Sequence, residues 1–159
     1  MQIRSAVPLV ISLTYAPQAF AQLPNAYGAS VTLETAKKAV ASAMAEARKN
    51  NWTMAFAIVD PSGNLVYFEK MDGTQIGSVN VAVDKARAAA LFKRPTKAFQ
   101  DVIASGGEGL RILGLPGAIP VEGGIPLVVD GVIVGAIGVS GGTSQQDSQS
   151  AQAGVAALK

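Results

Sequence analysis

Residues 121–147 contain the side chains whose types and spacing could do chemistry. Glu122 is an acid in apolar, proline-rich surroundings, and Gly123 and Gly124 follow it directly. Such an acid can act as the carboxylate of a site, where apolar surroundings favour its protonated form, or it can cap neighbouring backbone amides. The sequence leaves both roles open. The two glycines allow the backbone to approach a ligand or another chain closely, so we expect the function here.

Ser140 lies in the pattern Gly-x-Ser-x-Gly at a predicted strand-to-helix turn, which is the context of a hydrolase nucleophile. Such a serine needs a base that takes its proton, and the usual base is histidine. The chain contains no histidine. The glycine-rich turn is therefore expected to close the sheet and to present backbone N–H groups at the start of a helix.

Cationic side chains between residues 87 and 97 could bind an anionic ligand, such as the propionates of haem. Arg87 lies inside an alanine-rich helical segment, so a fixed partner is expected for it. Lys93, Arg94 and Lys97 are instead expected to form a solvated cationic face at a helix C-terminus, where the helix dipole favours positive charge.

Tyr67 and Met71 are side chains that could ligate the iron if a haem is bound. They share one face of a predicted strand with Glu69, because successive side chains alternate between the two faces of a sheet. Packing in the core is the more common role for residues of these types, so purely structural roles are the alternative.

The composition excludes several kinds of site and partner. With 159 residues, 49% of them hydrophobic and 15% charged, the chain is expected to fold as one globular domain. The absence of cysteine excludes disulfides, zinc–thiolate sites and iron–sulfur clusters, and the absence of histidine removes the most common haem ligand. A net charge of +2 without a Lys/Arg-rich run argues against nucleic acid as a partner.

The N-terminal residues 1–21 are typical of a signal peptide. Arg4 supplies positive charge, residues 6–15 form a short apolar core, and an Ala-x-Ala cleavage site ends the segment. The apolar core is too short to span a bilayer as a helix, so no membrane span is expected in the mature chain. The protein is therefore predicted to be periplasmic or secreted; an apolar arm that stays attached is the alternative. Residues 22–31 are predicted to be a lead-in to a single domain at residues 32–159.

Turn and cap residues predict the elements that must position the candidate side chains. Thr32 is expected to cap a first helix, and Thr96 a third, shorter one. The turn Asp60-Pro-Ser-Gly-Asn64 joins two predicted strands, and Asp130-Gly131 is a strong signal for a second hairpin. The predicted order is α-β-β-α-α-β-β-α, with room for one more short strand at residues 119–121. Adjacent hairpins favour an α+β fold with helices packed against an antiparallel sheet.

A family resemblance covers nearly the whole mature chain, from about residue 33 to residue 158. The segments that carry it are Val59-Asp-Pro-Ser-Gly-Asn-Leu65, Lys85-Ala-Arg87, Pro95-Thr96, Pro120-Val-Glu-Gly-Gly-Ile-Pro126 and Val134-Gly-Ala-Ile-Gly-Val-Ser-Gly-Gly142. In these segments the chain resembles the GlcG/HbpS family of small haem-binding proteins, whose domain is also found at the C-terminus of some corrinoid adenosyltransferases. The resemblance implies a profilin-like α+β fold that assembles into homo-oligomers.

The resemblance also implies a function. Some family members are exported, bind haem, and are linked to haem degradation or to signalling through a partner sensor kinase. Others accompany genes for glycolate or diol metabolism. Because this chain lacks histidine, an iron ligand must be a tyrosine, a methionine, a lysine or a hydroxyl such as that of Thr96, or else the haem is held mainly through its porphyrin face.

We therefore expect an exported, oligomeric protein that binds haem or another tetrapyrrole, with Arg87 near the propionates and with Gly123 and Gly124 allowing close approach. One alternative is an enzyme acting on a small anionic metabolite such as a hydroxy acid, in which Glu122 is the general acid/base and Arg87 anchors the anion. The other alternative is an oligomeric structural or signalling module, in which the glycine-rich segments form subunit contacts.

Overall fold

The computed structural model describes residues 23–159, so the predicted signal peptide at residues 1–21 lies outside the described residues. In chain order the elements are helix α1 (Leu33–Lys49), strands β1 (Ala55–Val59) and β2 (Leu65–Lys70), helices α2 (Ser78–Leu91) and α3 (Lys97–Ala104), a 3₁₀ helix (Gly107–Gly114), strands β3 (Gly124–Val129) and β4 (Val132–Ser140), and helix α4 (Ser144–Ala156). The predicted order and the α+β class are confirmed. The additional strand considered at residues 119–121 is wrong, because these residues join no strand ladder.

The strands form one antiparallel sheet in the order β2-β1-β4-β3. Helices α1 and α4 pack on one face of the sheet, and helix α2 packs on the other. Strand β1 lies in the interior of the sheet, and all of its side chains are buried, alternately in the two cores. The edge strands are therefore β2 and β3, and predicted site residues lie at both edges.

Small residues let helix α2 lie directly on the sheet. The helix presents Ala82, Ala86 and Ala89 to the core that it shares with β1 and β4. A Cβ atom added to Gly138 of β4 would overlap with the carbonyl oxygen of Ala82 and would lie 2.5 Å from the backbone nitrogen of Ala86. The alanines and this glycine therefore set the distance between helix and sheet, and with it the position of every other α2 side chain.

Local signals define the ends of several elements as predicted. The Thr32 hydroxyl oxygen accepts a hydrogen bond from the Thr35 N–H at 3.2 Å and caps α1. Asp130 and Gly131 have φ values of +48° and +78°, as a tight turn between two strands requires. Thr143 caps α4. These features depend on contacts within a few residues, which is why the sequence pattern predicts them.

The described part of the lead-in runs beside strand β4. The Gly28 N–H donates to the Ile133 carbonyl oxygen at 2.9 Å, and the Tyr27 hydroxyl donates to the Ala90 carbonyl oxygen at 2.8 Å. This segment is thus tied to both β4 and α2. Within residues 23–159, none of the helices combines the length and the apolar character that crossing a membrane would need.

Candidate functional site

The residues predicted to form one site lie in three places. Four of them meet at the β3 edge of the sheet, two lie at the β2 edge, and one is on helix α2. They are Thr96, Glu122, Gly123 and Gly124 at the β3 edge, Tyr67 and Met71 at the β2 edge, and Arg87 on α2.

A cleft of about 260 Å³ opens at the β3 edge, and we call it the β3-edge cleft. Glu122, Gly123, Gly124 and Lys97 contribute to its lining. Glu122 is 8% exposed, and its backbone N–H donates to the side-chain oxygen of Gln100 at 3.0 Å. Its carboxylate forms no hydrogen bond or ion pair within residues 23–159. Of the two roles considered for Glu122, the capping of backbone amides is therefore wrong.

The close approach that Gly123 and Gly124 allow is an approach to the chain's own helices. A Cβ atom on Gly123, whose φ is +126°, would lie 2.9 Å from Lys85 Nζ, and one on Gly124 would lie 2.7 Å from Thr96 Cγ2. Thr96 is fully buried, and its hydroxyl oxygen accepts a hydrogen bond from the Gly124 N–H at 2.9 Å. The prediction that Thr96 caps helix α3 is wrong, because this oxygen is engaged by the distant Gly124 and bonds no amide of α3.

Lys85 of α2 and Asp147 of α4 form a buried ion pair behind Gly123, and this pair was not expected from the sequence. Lys85 Nζ lies 2.7 Å from Asp147 Oδ2 and donates to the Val139 carbonyl oxygen at 3.1 Å. The two side chains are 1% and 3% exposed. Burial lowers the pKa of Lys85 and raises that of Asp147, while the attraction between the two charges opposes both shifts. The pair connects helices on opposite faces of the sheet.

One signal in the sequence could have identified Lys85. The lysine is buried together with Ala82, Ala86 and Ala89 on one side of helix α2. A charged residue on a buried helical stripe needs a partner of opposite charge. Asp147 is 62 residues further along the chain, so local spacing could not identify it.

The cationic residues expected to form a solvated face instead have partners in the chain. Lys97 Nζ bonds both carboxylate oxygens of Asp101 at 2.7 and 2.9 Å, which raises the pKa of Lys97. Lys93 Nζ lies 5.2 Å from the centre of the Tyr27 ring, and the Arg94 guanidinium lies 5.6 Å from the centre of a phenylalanine ring. At these distances cations are attracted to aromatic faces. The expectation of a solvated face at a helix C-terminus is therefore met only in part, because Lys97 is half exposed but begins α3, and Lys93 and Arg94 lie over aromatic rings.

Arg87 has a fixed partner, as predicted, but it lies away from Glu122. Its Nε donates to the Gly63 carbonyl oxygen at 3.1 Å, and its Nη1 lies 3.7 Å from Asp84 Oδ1. Gly63 lies in the turn before β2, whereas Glu122 precedes β3 at the opposite edge of the sheet. The geometry therefore gives no support to a site in which Glu122 and Arg87 hold one small anion.

A second cleft, of about 330 Å³, opens at the β2 edge, and we call it the β2-edge cleft. Met71, Arg48 and Lys70 contribute to its lining, together with Glu69. Tyr67 and Met71 pack against the same core, so they share a face of the sheet as predicted. The Tyr67 hydroxyl donates to Glu69 Oε2 at 2.8 Å, and this bond raises the pKa of the phenol. The cleft thus combines the thioethers of two methionines with two cationic and two anionic side chains: Met44, Met71, Arg48, Lys70, Glu69 and Asp72.

Within residues 23–159, the hydroxyl of the serine in the Gly-x-Ser-x-Gly pattern forms no hydrogen bond with a basic side chain. The Ser140 hydroxyl is buried and donates to the Ser78 hydroxyl oxygen at 3.2 Å. In the following turn the Gly142 N–H donates to Asp147 Oδ1 at 2.9 Å, so the turn presents a backbone donor at the start of α4, as predicted. Within the described part of the chain, no three His, Cys, Asp or Glu side chains are grouped in a way that could hold a metal ion.

Comparisons with known proteins agree with the resemblance predicted from the sequence. Residues 31–156 match the family model described as "Haem degrading protein HbpS-like". Protein GlcG of Escherichia coli (strain K12) is 38% identical over 107 residues, which are 67% of this chain and 78% of GlcG.

Two crystal structures show the same fold. A double mutant of HbpS from Streptomyces reticuli superposes with a TM-score of 0.75 at 29% identity, over 98% of this chain and 99% of that one. A PduOC–haem complex superposes with a TM-score of 0.74 at 26% identity, over 82% of this chain and 96% of that one. The profilin-like α+β architecture predicted from the sequence is confirmed.

Proposed function

This chain belongs to the HbpS-like family, and on that premise we propose that it is an exported protein that binds haem or a related tetrapyrrole. The observation that carries the proposal is the PduOC–haem complex, in which a chain of the same fold binds haem. The family description supports it as well, because it names haem as the molecule on which the family acts. A bound haem supplies an iron centre, which the residues of this chain must hold in place.

The donor atoms of the β2-edge cleft fit a haem that is bound along one edge of its ring. The chain has no histidine or cysteine, so the axial ligand must come from another residue type. Met71 offers a thioether, which is a known ligand of haem iron. Arg48 and Lys70 line the same cleft and can pair with propionates. The volume of about 330 Å³ is at the small end for ligand pockets, so the cleft receives part of the ring.

Met71 suits this role better than Tyr67. A tyrosine binds ferric iron best as the phenolate, and the hydrogen bond from Tyr67 to Glu69 raises the pKa of the phenol and keeps it protonated. The alternative hydroxyl, that of Thr96, is fully buried at the other edge of the sheet. Arg87, proposed from the sequence as a propionate partner, donates to Gly63 and is not among the residues of this cleft.

Titration of the purified protein with hemin tests the proposal. We expect a saturable, shifted Soret band, which Met71→Leu weakens or moves and Tyr67→Phe leaves unchanged. Met54→Leu is the matched control, because Met54 is fully buried and does not line the cleft. Replacing Arg48 and Lys70 by glutamine should reduce the affinity about ten-fold or more, as for the loss of charge-assisted hydrogen bonds.

A spectrum that cannot be distinguished from that of free hemin would refute haem binding by this chain. Saturable binding that is insensitive to Met71→Leu and to the loss of both cations would retain haem but reject the β2-edge cleft. The rate at which the Soret band disappears, compared with free hemin under the same conditions, tests the link to haem degradation.

The proposal of export is supported by the composition of residues 1–21. Cleavage after the Ala-x-Ala site predicts that the mature protein begins at Gln22. N-terminal sequencing of the protein recovered from the periplasm or the medium measures this directly. Recovery of an intact Met1 terminus in the cytoplasmic fraction would contradict export.

One observation favours a second candidate function, that of an oligomeric structural or signalling module. The 3₁₀ helix and the residues after it expose apolar side chains: Leu110 is 50% exposed, Leu113 is 68% exposed and Val121 is 41% exposed. Apolar side chains exposed together on one short helix, as Leu110 and Leu113 are, form a candidate interaction site. Leu113→Lys should therefore reduce self-association in sedimentation equilibrium. Unchanged assembly would remove this surface as a subunit contact, and the same variant would test binding to a partner sensor kinase.

A further inference from the structure

The β3-edge cleft contains a carboxylate that no other group of the described residues satisfies directly. Glu122 lines the cleft and is 8% exposed, yet within residues 23–159 its carboxylate has no hydrogen-bond or ion-pair partner. The carboxylate oxygens are not among the fully buried side-chain atoms without a partner in the described residues, so they reach the open side of the cleft. A ligand that brings N–H or O–H donors into the cleft can therefore bond oxygens that no group of the described residues engages.

The two lysines near Glu122 are each engaged by another acid. Lys85 Nζ lies 2.7 Å from Asp147, and Lys97 Nζ lies 2.7 Å from Asp101. Burial lowers the pKa of Lys85 and the hydrogen bond to Asp101 raises the pKa of Lys97; attraction to Glu122 through space acts in the raising direction on both lysines. Three acids therefore share two cations, and these five groups in and beside the cleft have a net charge of −1.

This charge distribution selects the sign of the ligand. An anion would face the unpaired charge of Glu122, while the lysines that could receive it are already bound to aspartates. A neutral alcohol could donate one hydrogen bond but would leave the charge uncompensated. A cation with N–H groups satisfies both the charge and the hydrogen-bonding capacity of the carboxylate.

The volume and the lining of the cleft indicate the size of the ligand and the groups that it carries besides its charge. Its volume of about 260 Å³ is below the usual range for drug-sized ligands, so the ligand is small. Pro95 and Ile125 supply apolar wall, and Ser148 supplies a hydroxyl oxygen beside it. That oxygen accepts one hydrogen bond, from Gln152 at 3.2 Å, and a hydroxyl oxygen has a second lone pair.

We infer that the β3-edge cleft binds a small primary alkylammonium compound. The ammonium group donates to Glu122 and to the Ser148 hydroxyl oxygen, and the alkyl chain lies against Ile125 and Pro95. This site is separate from the β2-edge cleft, because the two clefts lie at opposite edges of the sheet. The inference therefore does not depend on haem binding.

Three probes with the same carbon chain and different charges test the inference: n-propylammonium, propan-1-ol and propionate. Each is titrated into the purified protein, and binding is followed from the amide signals of Gly123 and Gly124 by NMR. We expect saturable binding of n-propylammonium, at least about ten-fold weaker binding of propan-1-ol, and no binding of propionate, because a charge-assisted hydrogen bond distinguishes the three.

Glu122→Gln removes the charge and keeps the shape, so it should weaken n-propylammonium at least about ten-fold and bring it close to propan-1-ol. Glu108→Gln is the matched control, because the Glu108 side chain is 92% exposed and lies outside the cleft. Lys97→Met gives a second variant at an exposed position, should Glu122→Gln fold poorly. It removes a competing cation and should tighten binding of n-propylammonium.

Three results would overturn the inference. The first is the absence of saturable n-propylammonium binding to the folded wild-type protein. The second is propionate binding as tightly as n-propylammonium. The third is unchanged n-propylammonium affinity in Glu122→Gln, or weaker affinity in Lys97→Met. Hemin titration of Glu122→Gln should match that of the wild type, so failure of this inference and failure of haem binding are distinguishable.

Discussion

Removing one member of the Lys85–Asp147 pair should destabilise the protein as much as removing both. In Asp147→Asn, the Lys85 ammonium stays buried with the Val139 carbonyl oxygen as a remaining partner at 3.1 Å. Breaking a buried ion pair from one side costs about 3–5 kcal/mol. We expect about 3 kcal/mol, because the asparagine oxygen can still accept a hydrogen bond.

Lys85→Met leaves Asp147 buried without its cation, although the Gly142 N–H still donates to it at 2.9 Å. We again expect a loss of about 3 kcal/mol, which lowers Tm by about 6–12 °C in a protein of this size. The double variant buries no charge, so its loss should be about 3–4 kcal/mol, and not the sum of about 6 kcal/mol. The coupling energy is then about 2–3 kcal/mol.

The assay is equilibrium unfolding in urea at neutral pH, followed by circular dichroism and by the fluorescence of the single tryptophan, Trp52. The exposed pair Lys97–Asp101 is the matched control, and Lys97→Met with Asp101→Asn should show coupling of only about 0.3–0.5 kcal/mol. If the effects of Lys85→Met and Asp147→Asn add to within about 0.5 kcal/mol, the reasoning about the buried pair is wrong.

Three further substitutions test other parts of the structure. Gly138→Ala should lower the free energy of unfolding in urea by about 1–3 kcal/mol, because the new methyl group would overlap with the Ala82 carbonyl oxygen. Thr96→Val keeps the shape of the side chain but leaves a buried N–H without an acceptor, so the same assay should show a loss of about 1–3 kcal/mol. Burial acts to raise the pKa of Asp60, but hydrogen bonds from the backbone and side chain of Asn64 and from nearby backbone outweigh it and lower the pKa below its ordinary value of 3.8. The resulting stability is present above that value and is lost as the pH falls through the lowered pKa, so the wild type should lose more stability than Asp60→Asn between about pH 5 and about pH 2.

Each of these predictions has an outcome that contradicts it. An added Cβ on Gly114 would meet no atom within 4 Å. If Gly114→Ala lowers the free energy of unfolding as much as Gly138→Ala does, the loss at Gly138 does not come from overlap with the Ala82 carbonyl oxygen. Full stability of Thr96→Val would mean that another acceptor replaces the hydroxyl. Parallel stability curves for wild type and Asp60→Asn in acid would remove Asp60 as the source of the pH dependence.

The sequence by itself determined the elements and their order. The cap at Thr32 and the turn at Asp130-Gly131 depend on backbone angles and hydrogen bonds among residues that are close in the chain. The apolar periodicity of α1 and the alternation along β2 follow from helix and strand geometry alone. Such features can be predicted because the interactions that stabilise them are local. The segments that resemble the family additionally predicted how these elements assemble into a fold.

The tertiary structure decided which candidate side chains meet. Lys85 pairs with Asp147, which is 62 residues away in the chain. The Thr96 hydroxyl oxygen accepts a hydrogen bond from the N–H of Gly124, which is 28 residues away, and caps no helix. Glu122 and Arg87 are separated because of the strand order β2-β1-β4-β3, in which the two hairpins pair with each other through strands β1 and β4. That order leaves β2 and β3, and the two clefts beside them, at opposite edges. It is set by which apolar faces the helices cover, and this depends on packing between distant parts of the chain and not on the spacing of residues within any one segment.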